Sequence, residues 1–288
     1  MRHAILGAGG VGGMIGGGLA RGGDDVTFVV RPGTIASYPA TLQVQSKLGD
    51  YSVPARCSEK VPEADVLWLT VKAIQLSSAI ETMEKGPAPR AIVPLLNGVE
   101  HVALLRAKFG TDRVVPATIA GEIERTVPGQ IVHRTPFVRL NMASRGRDLL
   151  GTALQQLQGL GWTTSLTDDE PTLLWSKLVF LAPFALSTTA AGLPIGGITG
   201  DAALNHKLEA TIREACAVAA AEKATVDAEG VIALIHSMPA AMRSSMQKDV
   251  ENGKQPEVDA IGGSIVRAAK RHGIGVPVVE ELMTRIKG

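Results

Sequence analysis

Near the start of the chain, a short apolar run is followed directly by a run of glycines. Residues 3–6 (HAIL) predict a buried strand, and the glycines open a helix that extends to about Arg21. Their junction has the pattern G-x-G-x-x-G, formed by Gly7, Ala8, Gly9, Gly10, Val11 and Gly12. In this strand–turn–helix context the glycines permit a tight turn, close approach of a pyrophosphate and close helix packing. The pattern therefore predicts a Rossmann-type domain with a dinucleotide at the helix N-terminus.

The residues after the second predicted strand indicate which dinucleotide binds. Residues 26–30 (VTFVV) predict that strand, and Arg31 and Pro32 follow it. NAD-binding domains place Asp or Glu here, whereas an arginine can pair its planar guanidinium with a 2′-phosphate. NADPH is therefore the predicted cofactor, and the alternative interpretation is that Arg31 is a solvated surface residue.

Two more polar residues follow predicted strands. Lys72 comes after residues 64–71 (ADVLWLTV), and Asn97 comes after residues 91–96 (AIVPLL). Ligands of open parallel sheets bind at the carboxyl ends of the strands, so both residues are candidates for cofactor contacts. Either one could instead cap a helix or form a turn.

The order of the predicted elements divides the chain into two domains. Strands alternate with helices in the first part, which predicts a doubly wound parallel sheet. Residues 113–119 and 130–141 predict two strands joined by a turn at Pro128-Gly129, as an antiparallel extension of that sheet. A helix at 148–160 and a short strand to Leu166 complete an NADP-binding domain of residues 1–167.

From Asp168 onward the pattern is helical. Acidic residues and Pro171 mark a helix start after Thr167. Apolar residues at spacings of three and four predict a long helix over 201–227, and another helix is predicted from Pro256 to about Arg271. Residues 168–288 are therefore predicted to form an all-helical substrate and catalytic domain.

One lysine stands out in the helical half. Lys177 is the only ionisable side chain between Glu170 and Asp201, and its neighbours are mostly apolar. Desolvation lowers the pKa of a lysine, and a lysine tuned in this way can donate a proton near neutral pH. Reduction of a carbonyl needs such a donor. The alternative is a lysine whose amine reaches the helix surface.

Composition excludes several classes of function. The 288 residues carry a formal net charge of +1, so no broad positive surface for nucleic acid or acidic membranes is expected. The longest apolar run, 178–186, is too short to span a membrane and contains Pro183. The histidines and cysteines show no metal-ligand spacing, so no metal is predicted. We expect a soluble, cytoplasmic protein.

Taken together, these motifs resemble the ketopantoate reductase (2-dehydropantoate 2-reductase) family over nearly the whole chain. The ordered set is GAGGVG at 7–12, VVR at 29–31, VKA at 71–73, LNG at 96–98, WSKL at 175–178, SSMQKD at 244–249 and PEVD at 256–259. The resemblance implies a C-terminal domain like that of 6-phosphogluconate dehydrogenase. It also implies reduction of ketopantoate to pantoate, a precursor of pantothenate and coenzyme A.

The resemblance also implies roles for individual residues. Arg31 and Lys72 match contacts to the NADPH phosphates, and Asn97 matches a residue near the nicotinamide and the substrate. Lys177 matches the general acid. Ser245 matches a residue that binds the carboxylate end of the substrate. Glu257 matches an acid that orders the cofactor and the active site.

Three positions depart from the family pattern. Leu181, Ala185 and Ile195 stand where the family typically has asparagines in the substrate pocket, and Ser187, Thr188 and Thr189 could replace part of that hydrogen bonding. These departures favour a different enzyme of the same architecture, such as a reductase of another, more apolar 2-oxo acid or a 3-hydroxyacid dehydrogenase. A second alternative is a protein that binds NADPH without catalysis, against which the isolated Lys177 argues. The sequence is compatible with a homodimer.

Overall fold

The computed structural model describes residues 1–287, without the side chain of Lys287, and the chain forms two compact units. Unit 1 contains Met1–Leu96 and His101–Glu170. Unit 2 contains Asn97–Glu100 and the chain from Pro171 onward. The domain division between residues 167 and 168 stays a prediction of the sequence.

All strands of the described residues lie in unit 1. They are β1 (Arg2–Leu6), β2 (Asp25–Val29), β3 (Thr41–Ser46), β4 (Tyr51–Pro54), β5 (Arg56–Ser58), β6 (Val66–Leu69), β7 (Ala91–Pro94), β8 (Ala117–Ala120), β9 (Ile123–Val127), β10 (Gln130–His133), β11 (Arg139–Ala143) and β12 (Thr163–Thr167).

The described α-helices are α1 (Gly10–Arg21), α2 (Leu76–Glu84), α3 (Glu100–Phe109), α4 (Arg147–Gly159), α5 (Glu170–Ala191), α6 (Ile195–Thr199), α7 (Ala202–Ala221), α8 (Ala228–His236), α9 (Ser245–Glu251), α10 (Ser264–His272) and α11 (Pro277–Lys287). A π-helical segment, Asp259–Gly263, directly precedes α10.

The main sheet of unit 1 has five parallel strands in the order β5-β2-β1-β6-β7. Strands β6 and β7 are buried along their whole length, as expected for a parallel sheet covered on both faces. The predicted fold class is confirmed: a Rossmann-type parallel sheet is followed by a helical C-terminal part. The carboxyl ends of β1, β2 and β6 are neighbours, so the segments that follow these strands meet at one edge.

The predicted antiparallel extension is wrong in detail. The turn at Pro128-Gly129 joins β9 to β10, and these strands form a separate four-stranded sheet in the order β4-β3-β10-β9. The single strand predicted over 130–141 is two strands, β10 and β11. Strand β8 does pair antiparallel with β11, in a three-stranded sheet with β12. Strands β3, β4, β5 and β9 are short and largely polar, so their apolar pattern was too weak to predict them.

Unit 2 is helical in its described residues, but one predicted helix boundary was wrong. The helix predicted over 201–227 is α7, which ends at Ala221, because Lys223 adopts a left-handed conformation with φ 66°. Asp227 then caps α8 by accepting hydrogen bonds from the backbone N–H groups of Glu229 and Gly230. The helical segment predicted to start near Pro256 begins at Val258, two residues later.

Helix α5 contributes many of the buried apolar residues in the core of unit 2. Its 22 residues are apolar enough to pass a composition test for a membrane span, and among the described residues it is the one helix that does so. However, 61% of its most apolar window is buried within the protein. It packs in a core with residues of α7 and α10, among them Ile212 and Ile265, each with no exposed surface. We therefore interpret α5 as a core helix.

A buried histidine in β1 is held in one tautomer. The indole Nε1 of Trp68 donates a hydrogen bond to Nδ1 of His3 at 3.1 Å. Nε2 of His3 lies 3.2 Å from Oδ2 of Asp24, so the neutral ring carries its hydrogen on Nε2. Burial lowers the pKa of His3 from its usual 6.5, although the Asp24 carboxylate acts in the opposite direction. Protonation at Nδ1 would break the bond from Trp68.

We expect this arrangement to make the stability of the protein sensitive to acid. Because the unfolded chain takes up the His3 proton at a higher pH than the folded chain does, the free energy of unfolding should fall as the pH drops below about 6.5. Urea denaturation of the wild type and His3→Gln from about pH 7.5 to about pH 5.5 tests this. The variant should lose less stability over that range, and equal losses in both proteins would contradict the prediction.

Candidate functional site

The glycine loop of unit 1 has the backbone that its sequence pattern requires. Gly7 has φ 112°, and a Cβ atom there would lie 2.8 Å from the carbonyl carbon of Thr70. A Cβ on Gly12 would lie 2.1 Å from the carbonyl oxygen of Gly7. Gly9, by contrast, has no atom within 4 Å of the position where its Cβ would be. The first and last glycines therefore allow close packing, and the middle one leaves open space.

The first turn of α1 can accept an anion. The N–H groups of Gly10 and Val11 lie in the first turn and therefore have no intrahelical partner. Gly9 precedes the helix, and no side chain among the described residues caps it. Ala8, between the glycines, is buried with 7% of its surface exposed. Open space at Gly9 together with these N–H groups fits the pyrophosphate of a dinucleotide.

Arg31 lies in a tight turn just beyond β2. The backbone N–H of Thr34 donates to the carbonyl of Arg31 at 3.1 Å, and Gly33 has φ 78°. Glu59 accepts a hydrogen bond from the Gly33 backbone at 2.7 Å. The Arg31 side chain is exposed, and no carboxylate of the described residues forms an ion pair with it. Its guanidinium is therefore available to a phosphate.

Lys72 lies beyond the end of β6, next to the glycine loop. Thr70 connects the two, because its hydroxyl donates to the carbonyl oxygen of Gly7 at 2.7 Å. Lys72 itself is half-buried, and its carbonyl accepts from the N–H of Gln75. The structure thus brings the glycine loop, Arg31 and Lys72 to the same edge of the main sheet.

A third cationic residue, Arg125, also lies at the glycine loop, and the sequence pattern did not predict it. Arg125 of β9 donates from Nη1 to the carbonyl oxygen of Ala8 at 3.1 Å. Its strand was not predicted, so nothing in the sequence pattern connected it with a glycine loop 117 residues away.

In unit 2, Lys177 is half-buried on α5. Burial lowers the pKa of Lys177 to about 8, and the Glu257 carboxylate acts in the opposite direction. A group with this pKa is largely protonated at neutral pH and can still release its proton readily, as a general acid must.

Asn97 and Glu257 meet close to Lys177 in unit 2, although 160 residues separate them in sequence. Nδ2 of Asn97 donates to Oε2 of Glu257 at 3.0 Å. Glu257 is buried, with 7% of its surface exposed, and its charge acts on Lys177. Gly98 allows this approach, because it has φ 82° and a Cβ there would lie 2.3 Å from the carbonyl oxygen of Ala260.

Ser245 is the exposed first residue of α9, whereas Ser244 before it is buried. The Ser244 hydroxyl accepts from the N–H of Gln247 at 3.1 Å and lies 3.0 Å from the hydroxyl oxygen of Thr188, with which it shares a hydrogen bond. Thr188 lies eleven residues after Lys177 on α5, which is about three helical turns along the same face. This bond fixes the start of α9, and with it Ser245, against α5.

The three residues that replace the family's pocket asparagines lie in apolar surroundings. Leu181 is half-buried and packs against the core of unit 2, Ala185 is fully buried and Ile195 is 1% exposed. The hydroxyls of Ser187 and Thr189 are buried without a hydrogen-bond partner among the described residues.

We expect Glu257→Gln to lower the pKa of Lys177 below about 8, because it removes the carboxylate charge that stabilises the ammonium. An NMR titration of the lysine side chains measures this pKa directly. Glu251→Gln is the matched control, since Glu251 is an exposed carboxylate paired with Arg243. An unchanged or higher pKa for Lys177 in Glu257→Gln would contradict the electrostatic assignment.

Two family models match most of the chain. The model for ketopantoate reductase PanE/ApbA matches residues 3–145, and the model for its C-terminal domain matches residues 172–288. The chain is 29% identical to the uncharacterized oxidoreductase YkpB of Bacillus subtilis strain 168, over 100% of this chain and 98% of that protein. It is 32% identical to a 2-dehydropantoate 2-reductase of Mycobacterium tuberculosis H37Rv, over 76% of this chain and 74% of that one.

Solved structures share the fold. A PanE/ApbA family ketopantoate reductase from Ralstonia eutropha JMP134 is 27% identical and superposes with a TM-score of 0.89, over 100% of this chain and 97% of that chain. A D-mandelate dehydrogenase with bound NADH and anilino(oxo)acetate has a TM-score of 0.87 over 100% and 97% of the two chains. Its identity is 20%, so it shows similarity of fold alone.

Proposed function

The chain belongs to the ketopantoate reductase family, and we propose that it reduces a 2-oxo acid to the 2-hydroxy acid with NADPH, ketopantoate being the first candidate substrate. The family consists of oxidoreductases that act on CH–OH groups and use NADPH. The observation that carries the proposal is the half-buried Lys177, with its pKa near 8, beside the Glu257 carboxylate.

The cofactor-binding residues of the proposal are those of the glycine loop with Arg31 and Lys72. The first turn of α1 would hold the pyrophosphate with its free N–H groups. Arg31, which has no carboxylate partner among the described residues, would pair with the 2′-phosphate. Lys72 would add a second positive charge at the same edge of the sheet.

Lys177 is the general acid of the proposal. NADPH, when bound, supplies the hydride that the carbonyl carbon receives. The ammonium of Lys177 donates a proton to the carbonyl oxygen, so that the product is the neutral hydroxyl rather than an alkoxide. Glu257 keeps enough of Lys177 protonated for this role, because its charge opposes the effect of burial.

Asn97 and Ser245 complete the proposed site. The amide of Asn97 donates to Glu257 and so orients the carboxylate that acts on Lys177. Its remaining donor and acceptor atoms would contact the cofactor and the substrate. Ser245 would bind the carboxylate end of the substrate, and Glu257 would also order the bound cofactor.

A more apolar 2-oxo acid is the second candidate substrate, and one observation favours it. Leu181, Ala185 and Ile195 cannot hydrogen-bond through their side chains, and two of them are almost completely buried. A site built to hydrogen-bond a substrate hydroxyl discriminates strongly, whereas an apolar site does not. NADPH oxidation with ketopantoate and with a panel of branched and straight 2-oxo acids distinguishes the two candidates.

A homodimer and a cytoplasmic location also remain part of the proposal. A related ketopantoate reductase from Staphylococcus aureus is described as dimeric, at 18% identity to this chain. The buried position of α5 supports a soluble protein.

Lys177→Ala should lower kcat for the preferred oxo acid by about 10²–10⁴-fold, because the variant has no proton donor at this position. Single-turnover oxidation of NADPH measures the chemical step directly. Lys254→Ala serves as the control, since Lys254 is an exposed lysine of the same unit. Turnover near that of the wild type would exclude the general-acid role.

Arg31→Met should weaken NADPH binding by about tenfold or more and leave NADH binding nearly unchanged, since only NADPH carries the 2′-phosphate. Fluorescence titration with each nucleotide gives both dissociation constants. Equal effects on the two nucleotides would show that Arg31 does not recognise the 2′-phosphate.

A further inference from the structure

We propose that Arg125 is an additional phosphate-binding residue of the glycine loop, one that contacts the pyrophosphate shared by NADPH and NADH. The proposal rests on the proposed function, because it takes the glycine loop as the dinucleotide site. It gives a role to β9, a strand of the four-stranded sheet that the sequence did not predict.

The register of the β9–β10 hairpin directs Arg125 toward α1. A bulge between Gln130 and Ile131 sets Arg125 opposite Ile131. Directly opposed residues of an antiparallel pair project from the same face. Ile131 is 1% exposed and packs on α1, because a Cβ atom on Gly13 would lie 2.4 Å from its Cδ1. Arg125 therefore projects from the face of the hairpin that covers the helix.

Strand β9 also lies directly against the first turn of α1. A Cβ atom on Gly10 would be 2.8 Å from the carbonyl oxygen of Ile123. Two residues further along β9, the Arg125 guanidinium donates to the carbonyl of Ala8 at 3.1 Å. Arg125 thus holds its charge at the glycine loop, and the loop supplies the N–H groups that fit a pyrophosphate.

Within the described residues, no carboxylate neutralises the charge of Arg125 through an ion pair. Its guanidinium donates instead to the neutral carbonyl of Ala8. Arg134, which directly follows β10, is paired with Glu124 of β9 at 2.7 Å. The guanidinium has five N–H donors, so the bond to Ala8 leaves others for an anion.

The field of Arg125 extends to the segment that follows Arg31. It opposes the rise that burial causes in the pKa of the Tyr38 hydroxyl. The Arg125 guanidinium thus contacts the glycine loop and also acts on Tyr38. This position suits binding of the pyrophosphate, which joins the two halves of the dinucleotide.

The test compares nucleotide affinities of Arg125→Met, which keeps much of the apolar stem and removes the charge. NADPH and NADH should both bind about tenfold more weakly, because both carry the pyrophosphate. The salt dependence of binding should also become shallower, since one screened charge interaction is lost. Arg125→Lys, which keeps the charge, should recover part of the affinity.

Two further variants separate this role from others. Arg134→Met removes a paired arginine from the same hairpin and should leave both affinities unchanged. Arg31→Met should affect NADPH alone. Unchanged affinities in Arg125→Met, or a loss for NADPH alone, would overturn the proposal.

Titration with ADP and adenosine distinguishes phosphate binding from a brace that merely supports the loop. ADP carries the pyrophosphate and should lose affinity in Arg125→Met, whereas adenosine should not. Equal losses for both would mean that Arg125 acts through loop structure and would overturn the proposal. Because ADP has no nicotinamide, this result does not depend on reductase activity. If the wild type binds ADP but does not oxidise NADPH with any oxo acid tested, that result contradicts the proposed function and leaves the role of Arg125 intact.

Discussion

The opposition between burial and charge at Lys177 is the constraint on which the helical part of the site depends. Burial alone favours the neutral amine, and a neutral amine donates poorly to a forming alkoxide. The Glu257 carboxylate counteracts burial, so that the pKa stays near 8. Glu257 is itself buried and would be costly without a partner. The amide of Asn97 provides one, and the left-handed Gly98 brings it within reach.

The nucleotide part of the protein follows a different electrostatic rule. Arg31 and Arg125 are exposed, so the lack of a carboxylate partner among the described residues costs little free energy. In the proposed function, their phosphate partner comes from the bound dinucleotide. As the proposed general acid, Lys177 would need a partner within the protein, because its proton must be held before the substrate arrives. A cation that only binds a phosphate would need no such partner before the ligand binds.

The sequence predicted the features that local pattern determines. Apolar runs gave the parallel strands, and the glycine loop, Arg31 and Lys72 followed from their positions after those strands. Long-range contacts could not be predicted in this way: the Asn97–Glu257 bond joins residues 160 apart, and Arg125 reaches a loop 117 residues away. Strand β9 was missed because its residues Ile123–Val127 are mostly exposed and polar. The resemblance to the family named Glu257, but not its bond to Asn97.

The same limit applies to substrate identity. The face of α5 that carries Lys177 continues through Leu181 to Thr188, whose hydroxyl is already bonded to Ser244. That hydroxyl therefore supports the start of α9 and is not a ready substitute for a pocket asparagine. The hydrogen bonds that recognise a polar substrate would then come from other groups, such as Asn97, the exposed Ser245, or the hydroxyls of Ser187 and Thr189, which have no partner among the described residues. Otherwise the substrate itself would need fewer of them. An apolar 2-oxo acid needs fewer hydrogen bonds from the protein and so fits such a pocket.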